Sequence, residues 1–194
     1  MLAVSQLPDE YEQIFSVNLQ KNRKLAVLLN LSALAIAVIM FIPAAFAVPI
    51  TALFDLSNGL LPYFIHIGIL VLAIVLYLAL HELIHGITMY CFGCKKVKYG
   101  FTGMYAYAGS DDYFDKKSYI IIALAPVVLF GVILSILCFL PIEWFWVVYF
   151  VQIINISGAV GDIYVTVKFA KMPKDILVAD SGVEMTVYSK QNLQ

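Results

Sequence analysis

Two histidines and a glutamate inside a long apolar stretch are the residues of this chain best suited to chemistry. The segment reads His81-Glu82-Leu83-Ile84-His85. On a helix, positions i and i+4 share a face, so both imidazoles can reach one zinc ion. The intervening Glu82 can then act as base toward a metal-bound water and later deliver the proton to a leaving amine. The spacing therefore predicts zinc-assisted hydrolysis of an amide.

The apolar setting makes this short motif more specific. The chain has only three histidines, and two of them lie in the motif. An ionisable side chain at the centre of a lipid-facing helix costs on the order of 3 kcal/mol, so such residues normally face the protein interior and have a function. The alternative is a polar patch that packs helices without a metal. The third histidine, His66, is expected near a membrane interface.

Zinc requires a third protein ligand and an open position, and depth in the membrane favours Asp162. His81 and Asp162 lie at similar distances from Pro62 and Trp144, the expected starts of their helices on the outer face. At a rise of 1.5 Å per residue, both distances are about 27 to 29 Å. The alternative is that Asp162 reaches the interface or caps its helix beside Lys168.

Two other groups could contribute ligands. Cys91 and Cys94 form a C-x-x-C that could complete a closed structural site with the two histidines, and a redox role would need a thioredoxin-like context that the sequence lacks. Three cysteines form an odd set, so no disulfide framework is expected. An acidic cluster among lysines is either a solvated loop or a source of one ligand; it comprises Asp111, Asp112 and Asp115.

Composition indicates that lipid is part of the solvent of this chain. Hydrophobic residues make up 62% of the 194 residues and charged residues only 13%, far from the balance of a soluble domain. We expect a single membrane-embedded domain over residues 1–194. The net charge of −1 and the lack of a basic stripe exclude nucleic-acid binding.

Four apolar stretches are long enough to cross a bilayer, which needs about 20 residues of helix. They cover residues 25–48, 62–92, 118–140 and 144–169, followed by a tail over 170–194. All twelve Lys and Arg residues fall on one side of these spans, so both termini are expected in the cytoplasm. The fold class predicted is all-α and integral to the cell membrane, with a β-hairpin-like segment between the second and third helices.

The hairpin-like segment runs from Lys96 to Gly109, where aromatic and β-branched residues alternate with glycines and a turn is expected near Thr102 and Gly103. The alternative is an irregular interfacial loop anchored by tyrosines. The tail predicts another short hairpin around Ser181 and Gly182.

Asn155 precedes Asp162 by two helical turns and lies on nearly the same face. Its amide could bind the substrate backbone or a catalytic oxyanion. An interhelical hydrogen bond is the equally favoured alternative.

The assembled features resemble site-2 proteases, which are intramembrane metalloproteases. They resemble more closely a family of small bacterial membrane proteins that is described as "putative zincin peptidase" and has a domain of unknown function. The resemblance covers roughly residues 60 to 190 and is carried by four segments: His81–Gly86, Tyr105–Ala108, Leu124–Pro126 and Ser157–Asp162.

This resemblance implies that His81, His85 and Asp162 hold zinc and that Glu82 is the base. It also implies that the hairpin binds an extended substrate as an added strand, with Tyr105 and Tyr107 among its contacts. Site-2 proteases usually have Asn-Pro and Asp-Gly near the later ligand, whereas Ile156 and Ile163 stand here after the Asn and the Asp.

The function expected is therefore that of a zinc-dependent intramembrane endopeptidase acting on a transmembrane or membrane-proximal peptide, with the lipid bilayer as its other partner. Two alternatives stay open. The chain could be a non-catalytic membrane protein that binds transmembrane segments. In that case the protein would stay functional after loss of Glu82. It could also transport metal ions or protons, which flux measurements in proteoliposomes would detect.

Overall fold

The computed structural model describes residues 3–54, 56, 59–103 and 105–190, so the last four residues of the tail and Met104 of the expected hairpin turn lie outside the described residues. Four apolar stretches are long enough to cross a membrane: α1 (Arg23–Ala47), α2 (Leu60–Cys91), α3 (Lys116–Leu137) and a fourth over Ile142–Ala170. Their bounds lie within three residues of the predicted spans. These four stretches are consistent with a multi-pass membrane protein.

The fourth stretch is two helices in sequence rather than the single predicted one. α4 (Ile142–Gly158) and α5 (Val160–Ala170) are separated at Ala159. The interruption follows Ser157 and Gly158, two residues with low helix propensity. As a result Asp162 lies in the first turn of α5, where the helix dipole favours a negative charge.

The expectation of an all-α fold is wrong in part, because 18% of the structure is strand in two sheets. One sheet pairs β2 (Val97–Phe101) with β3 (Ala106–Ser110) in antiparallel register, which confirms the hairpin predicted after α2. The other has the order β1-β6-β5-β4. Its strands are β1 (Tyr11–Asn18), β4 (Tyr113–Asp115), β5 (Leu177–Asp180) and β6 (Glu184–Lys190). The tail hairpin is thus confirmed as β5 and β6, whereas β1 and β4 were not predicted.

The chain forms two compact units. The first contains residues 1–28, 81–126 and 161–194, and so includes both sheets, the histidine motif and Asp162. Its core combines side chains from the sheets with others from the helices; Phe114, Phe169, Val178 and Val187 are completely buried. Burying such a side chain contributes about 1.5 to 3 kcal/mol to the free energy of unfolding. Because strands and helix ends contribute side chains to one core, this core stabilises the sheet together with the helix ends that carry the motif.

The second unit contains residues 29–80 and 127–160. Its core is built around Trp146, whose indole N–H donates to the Pro49 carbonyl at 3.1 Å. His66 stacks on Trp144 with ring centroids 4.7 Å apart. This unit supplies the remaining apolar helix surface.

A turn glycine in the first unit gives a test of the sheet packing. Gly182 has φ +83°, and a Cβ there would lie 2.0 Å from the Tyr107 ring. Gly103 has φ +86° but open space around it. Both Gly→Ala variants carry the backbone strain of about 1 to 2 kcal/mol, but only Gly182→Ala adds a clash, worth about 1 to 3 kcal/mol. Thermal unfolding in detergent should show the larger loss for Gly182→Ala. Equal losses would contradict this packing.

Candidate metal centre

Three side chains of the first unit bring one donor atom each to a common point. His81 Nε2 and His85 Nε2, from α2, lie 3.2 Å apart. Asp162 of α5 approaches them with its two oxygens, at 3.5 Å from His81 Nε2 and 3.7 Å from His85 Nε2. Among the described residues, this is the one group of three or more His, Cys, Asp or Glu side chains whose ligand atoms converge within 4.8 Å.

These separations fit a zinc ion. Nitrogen and oxygen ligands bind zinc at about 2.0 to 2.2 Å, and the corners of a tetrahedron of that size are about 3.3 Å apart. The observed distances of 3.2, 3.5 and 3.7 Å lie close to that value, the last two being measured from different oxygens of the Asp162 carboxylate. Three protein donors that leave a fourth position free are the arrangement of catalytic rather than structural zinc sites.

The orientation of His85 is fixed from α3. Its Nδ1–H donates to the Ile122 carbonyl at 2.9 Å, which leaves the lone pair of Nε2 pointing toward His81 and Asp162. Both imidazoles are buried, with 9% exposure for His81 and 7% for His85, while the Asp162 side chain keeps 26%. The donors are thus held by packing but can still be reached from one side.

Glu82 lies beside this group and is contacted by the hairpin. Its carboxylate accepts a hydrogen bond from the Ala108 backbone N–H in β3, and its electrostatic neighbours include His81 and Asp162. A backbone donor on a paired strand has little freedom to move, so it restricts the rotamers of the carboxylate. Glu82 is therefore placed for proton transfer next to the donor group.

Strand β2 of the hairpin packs on the face of α2 that carries Glu82. Tyr99 pairs with Ala108 across the hairpin, and a Cβ on Gly86 would lie only 1.9 Å from the Tyr99 hydroxyl oxygen. Gly86 is one turn beyond Glu82, so the two residues share a helix face. Glycine at this position lets the hairpin approach closely enough for Ala108 to reach Glu82.

The two tyrosines predicted to contact substrate have partners within the chain. A Cβ on Gly100 would lie 2.5 Å from the Tyr107 hydroxyl oxygen, so this ring covers Gly100 as well as Gly182. Tyr105 closes the hairpin turn, because its carbonyl accepts from the Thr102 N–H at 3.0 Å. Tyr107 thus fastens the hairpin to the β5–β6 turn. Substrate contacts by either tyrosine stay a prediction.

Asn155 lies in the second unit and its amide is fully used there. Oδ1 accepts from the Tyr77 hydroxyl at 3.1 Å, and Nδ2 donates to the Val127 carbonyl at 3.2 Å and to Gln152 Oε1 at 3.3 Å. The side chain is completely buried. The bonds to Tyr77 of α2 and Val127 of α3 are the interhelical bonds considered as the alternative, and a role for Asn155 toward substrate stays a prediction.

The cysteines do not join the donor group in the structure. Cys94 is buried, with its Sγ 3.0 Å from Ser110 Oγ and 3.4 Å from the Lys96 carbonyl. Burial raises the pKa of this thiol, which disfavours the thiolate that zinc would bind. Cys91 is exposed and free.

The three carboxylates of the acidic cluster after the hairpin bind neighbouring groups of the chain. Asp111 pairs with Lys98 at 2.6 Å, and Asp112 accepts from the Lys95 N–H at 2.9 Å. Asp115 accepts from the Ser118 N–H at 3.2 Å and so caps the start of α3. The cluster therefore shapes the loop.

A further carboxylate near the site was missed by the sequence analysis. Asp180, at the end of β5, accepts hydrogen bonds from the Tyr119 hydroxyl and, at 2.8 Å, from the Gly182 N–H. Burial raises the pKa of this carboxyl, and its charge interacts with that of Asp162. No local pattern in the tail marks Asp180, because only the fold brings β5 to the motif. When ionised, Asp180 favours the binding of a cation by His81, His85 and Asp162.

Comparison with known proteins agrees with this geometry. A family model described as "Putative zincin peptidase" matches residues 74–177, more than half of the chain and a range that includes all three donors and Glu82. The chain belongs to this family, whose description indicates a zinc metallopeptidase.

One relative comes from Pyrococcus woesei and is named "Uncharacterized 24.7 kDa protein in gap 5'region". It is 31% identical to this chain over 121 residues. The alignment covers 60% of this chain and 53% of the relative, so the chain spans about half of the relative's length. No solved structure matches the chain.

The contact between the hairpin and α2 can be tested with Gly86→Ala. The added methyl should displace Tyr99 and weaken the Ala108–Glu82 hydrogen bond, so amide hydrogen exchange over residues 106–110 should become faster. The double variant Gly86→Ala/Tyr99→Ala should recover slow exchange because it removes the clashing ring. Gly68→Ala is the control, since Gly68 lies on α2 with nothing within 4 Å of its Cβ position. Unchanged exchange in Gly86→Ala would contradict the contact.

The donor group can be tested by metal analysis of the purified protein. Asp162→Asn keeps the shape of the side chain but removes a charged oxygen ligand, so we expect loss of stoichiometric zinc after dialysis against a weak chelator. Asp175→Asn removes an equal charge from an exposed position and should keep one zinc per chain. The Cys91→Ser/Cys94→Ser variant should also keep it. Zinc lost from the cysteine variant and kept in Asp162→Asn would indicate a different site.

Proposed function

We propose that the protein is a zinc-dependent intramembrane endopeptidase that hydrolyses a peptide bond in a transmembrane or membrane-proximal substrate. The observation that carries this proposal is the convergence of His81, His85 and Asp162 at zinc-like separations beside Glu82. Membership of a family described as zincin peptidases supports the reaction class. The four long apolar stretches support a membrane setting.

The chain's own groups account for the proton transfers that hydrolysis needs. Zinc, when bound, polarises the scissile carbonyl and acidifies water. The Glu82 carboxylate takes a proton from the attacking water and passes it to the leaving amine nitrogen. The Ala108 N–H holds one side of this carboxylate, which limits its motion between the two transfers. The Ile122 carbonyl keeps the proton of His85 on Nδ1 throughout.

The position of the motif in α2 supports cleavage near the cytoplasmic boundary of the membrane. α2 has 32 residues, more than the approximately 20 that cross the hydrocarbon, and His81 begins its last third. With both termini in the cytoplasm, as the distribution of Lys and Arg predicts, the site lies near the cytoplasmic boundary. Water and a membrane-proximal peptide can both reach that level.

Substrate presentation follows from the same hairpin. A peptide within a transmembrane helix has its amides bonded internally and must be unwound before hydrolysis. Strands β2 and β3 offer backbone groups to an extended segment next to Glu82. The resemblance to site-2 proteases supports such a role for the hairpin.

The proposal is tested with Glu82→Gln in proteoliposomes, using quenched fluorogenic casein and a panel of fluorogenic transmembrane peptides as probes. Removing the base should lower kcat by about 10² to 10⁴-fold while zinc content stays at the wild-type level. Glu143→Gln is the matched control, because Glu143 is exposed at the start of α4, and it should cleave normally. Equal cleavage by wild type and Glu82→Gln, or cleavage that survives removal of zinc, would contradict the proposal.

A further inference from the structure

We propose that a cavity at the start of α1 binds the phosphate headgroup of an anionic glycerophospholipid. The cavity has a volume of about 540 Å³ and belongs entirely to the first unit. It is formed by the end of β1, the turn that leads into α1 and one side chain of β6. Three of its lining side chains are cationic, Lys21, Arg23 and Lys24, and one is acidic, Glu184.

The charges around the cavity favour an anion. In the part of the chain that the structure describes, none of the three cations forms an ion pair. The carboxylate of Glu184 accepts a hydrogen bond from the Ser16 hydroxyl of the neighbouring strand at 2.8 Å, and its charge also interacts with that of Lys21, so one acidic group faces three cations. The cavity therefore has an excess of positive charge that a phosphate can neutralise.

The backbone around these cations is ordered by local hydrogen bonds. Asn18 Oδ1 accepts from the Gln20 N–H at 3.0 Å and from the Lys21 N–H at 3.2 Å. Asn22 Oδ1 accepts from the Leu25 N–H at 3.1 Å and so caps α1. The cations are thus carried by a fixed turn.

The position of the cavity favours a lipid over free phosphate. It lies where β1 ends and an apolar helix of membrane-spanning length begins. Val27 and Leu28, one turn further along α1, are 50% and 58% exposed. A lipid can place its phosphate on the cations and its acyl chains on this apolar surface. Anionic lipids are abundant in the cytoplasmic leaflet and attract basic residues at helix ends, which agrees with the expected orientation.

Native mass spectrometry of the detergent-purified full chain tests this site. The probes are phosphatidylglycerol, phosphatidylcholine with the same acyl chains, and glycerol 3-phosphate. Phosphatidylglycerol should bind more tightly than phosphatidylcholine, by about fivefold for each cation engaged. Lys21→Gln/Arg23→Gln should reduce this preference at least tenfold, and Glu184→Gln should strengthen phosphatidylglycerol binding because it removes the opposing charge.

The matched control is Lys171→Gln/Lys174→Gln, which removes the same charge after α5 and should leave the preference unchanged. Melting temperatures of all variants establish that they remain folded. Equal binding of the two lipids would overturn the proposal, as would an equal loss in the control variant. Displacement of phosphatidylglycerol by an equal concentration of glycerol 3-phosphate would show a site for free phosphate esters instead. Zinc content and peptide cleavage are separate readouts, so this proposal stands or fails independently of the protease function.

Discussion

The approach of one carboxylate to two imidazoles inside an apolar helical environment is the interaction on which the structure of the site depends. Asp162 lies 3.5 and 3.7 Å from the ring nitrogens of His81 and His85. Charged groups removed from water require compensation by a counter-charge, a metal or hydrogen bonds. A divalent cation shared by all three side chains would neutralise the negative charge and bind one donor atom from each of them. The proposed metal would supply this compensation.

Several features of the fold serve this convergence. The interruption at Ala159 places Asp162 in the first turn of α5, and the Ile122 carbonyl fixes the tautomer of His85. The hairpin rests on α2 through the Tyr99–Gly86 contact and supplies a backbone donor to Glu82. Glu82, the proposed base, is consequently positioned by a strand that is 26 residues away in sequence, and the hairpin has a role in the site besides any contact with substrate.

The helices and the donor residues could be predicted from sequence because each leaves a local signal. Length and hydropathy predict the spans, and the i, i+4 spacing predicts that the two imidazoles share a helix face. The similar distances of His81 and Asp162 from the starts of their helices predict that Asp162 lies at the same depth. The hairpins were visible as alternating segments interrupted by glycine. The depth predicted for Asp162 assumes one uninterrupted helix, whereas the structure divides that stretch in two.

Other elements could not be predicted because their stability is nonlocal. β1 mixes polar and apolar residues without a strong local signal and pairs with β6 at the opposite end of the chain, and β4 has three residues. Asp180 reaches the site through that sheet. The contact of Ala108 with Glu82 likewise depends on tertiary packing, which no spacing rule encodes. The sequence places Asn155 on nearly the same helix face as Asp162, but it does not show that Tyr77, Val127 and Gln152 already form hydrogen bonds with its amide.

The central claim concerns which atoms hold the metal, and zinc K-edge X-ray absorption on the purified, zinc-loaded protein addresses it most directly. We predict a first shell of nitrogen and oxygen atoms only, at about 2.0 to 2.2 Å, with the outer-shell scattering of two imidazoles. Asp162→Asn should alter this spectrum and Asp175→Asn should not. A sulfur shell at about 2.3 Å, or a spectrum identical in wild type and Asp162→Asn, would contradict the account.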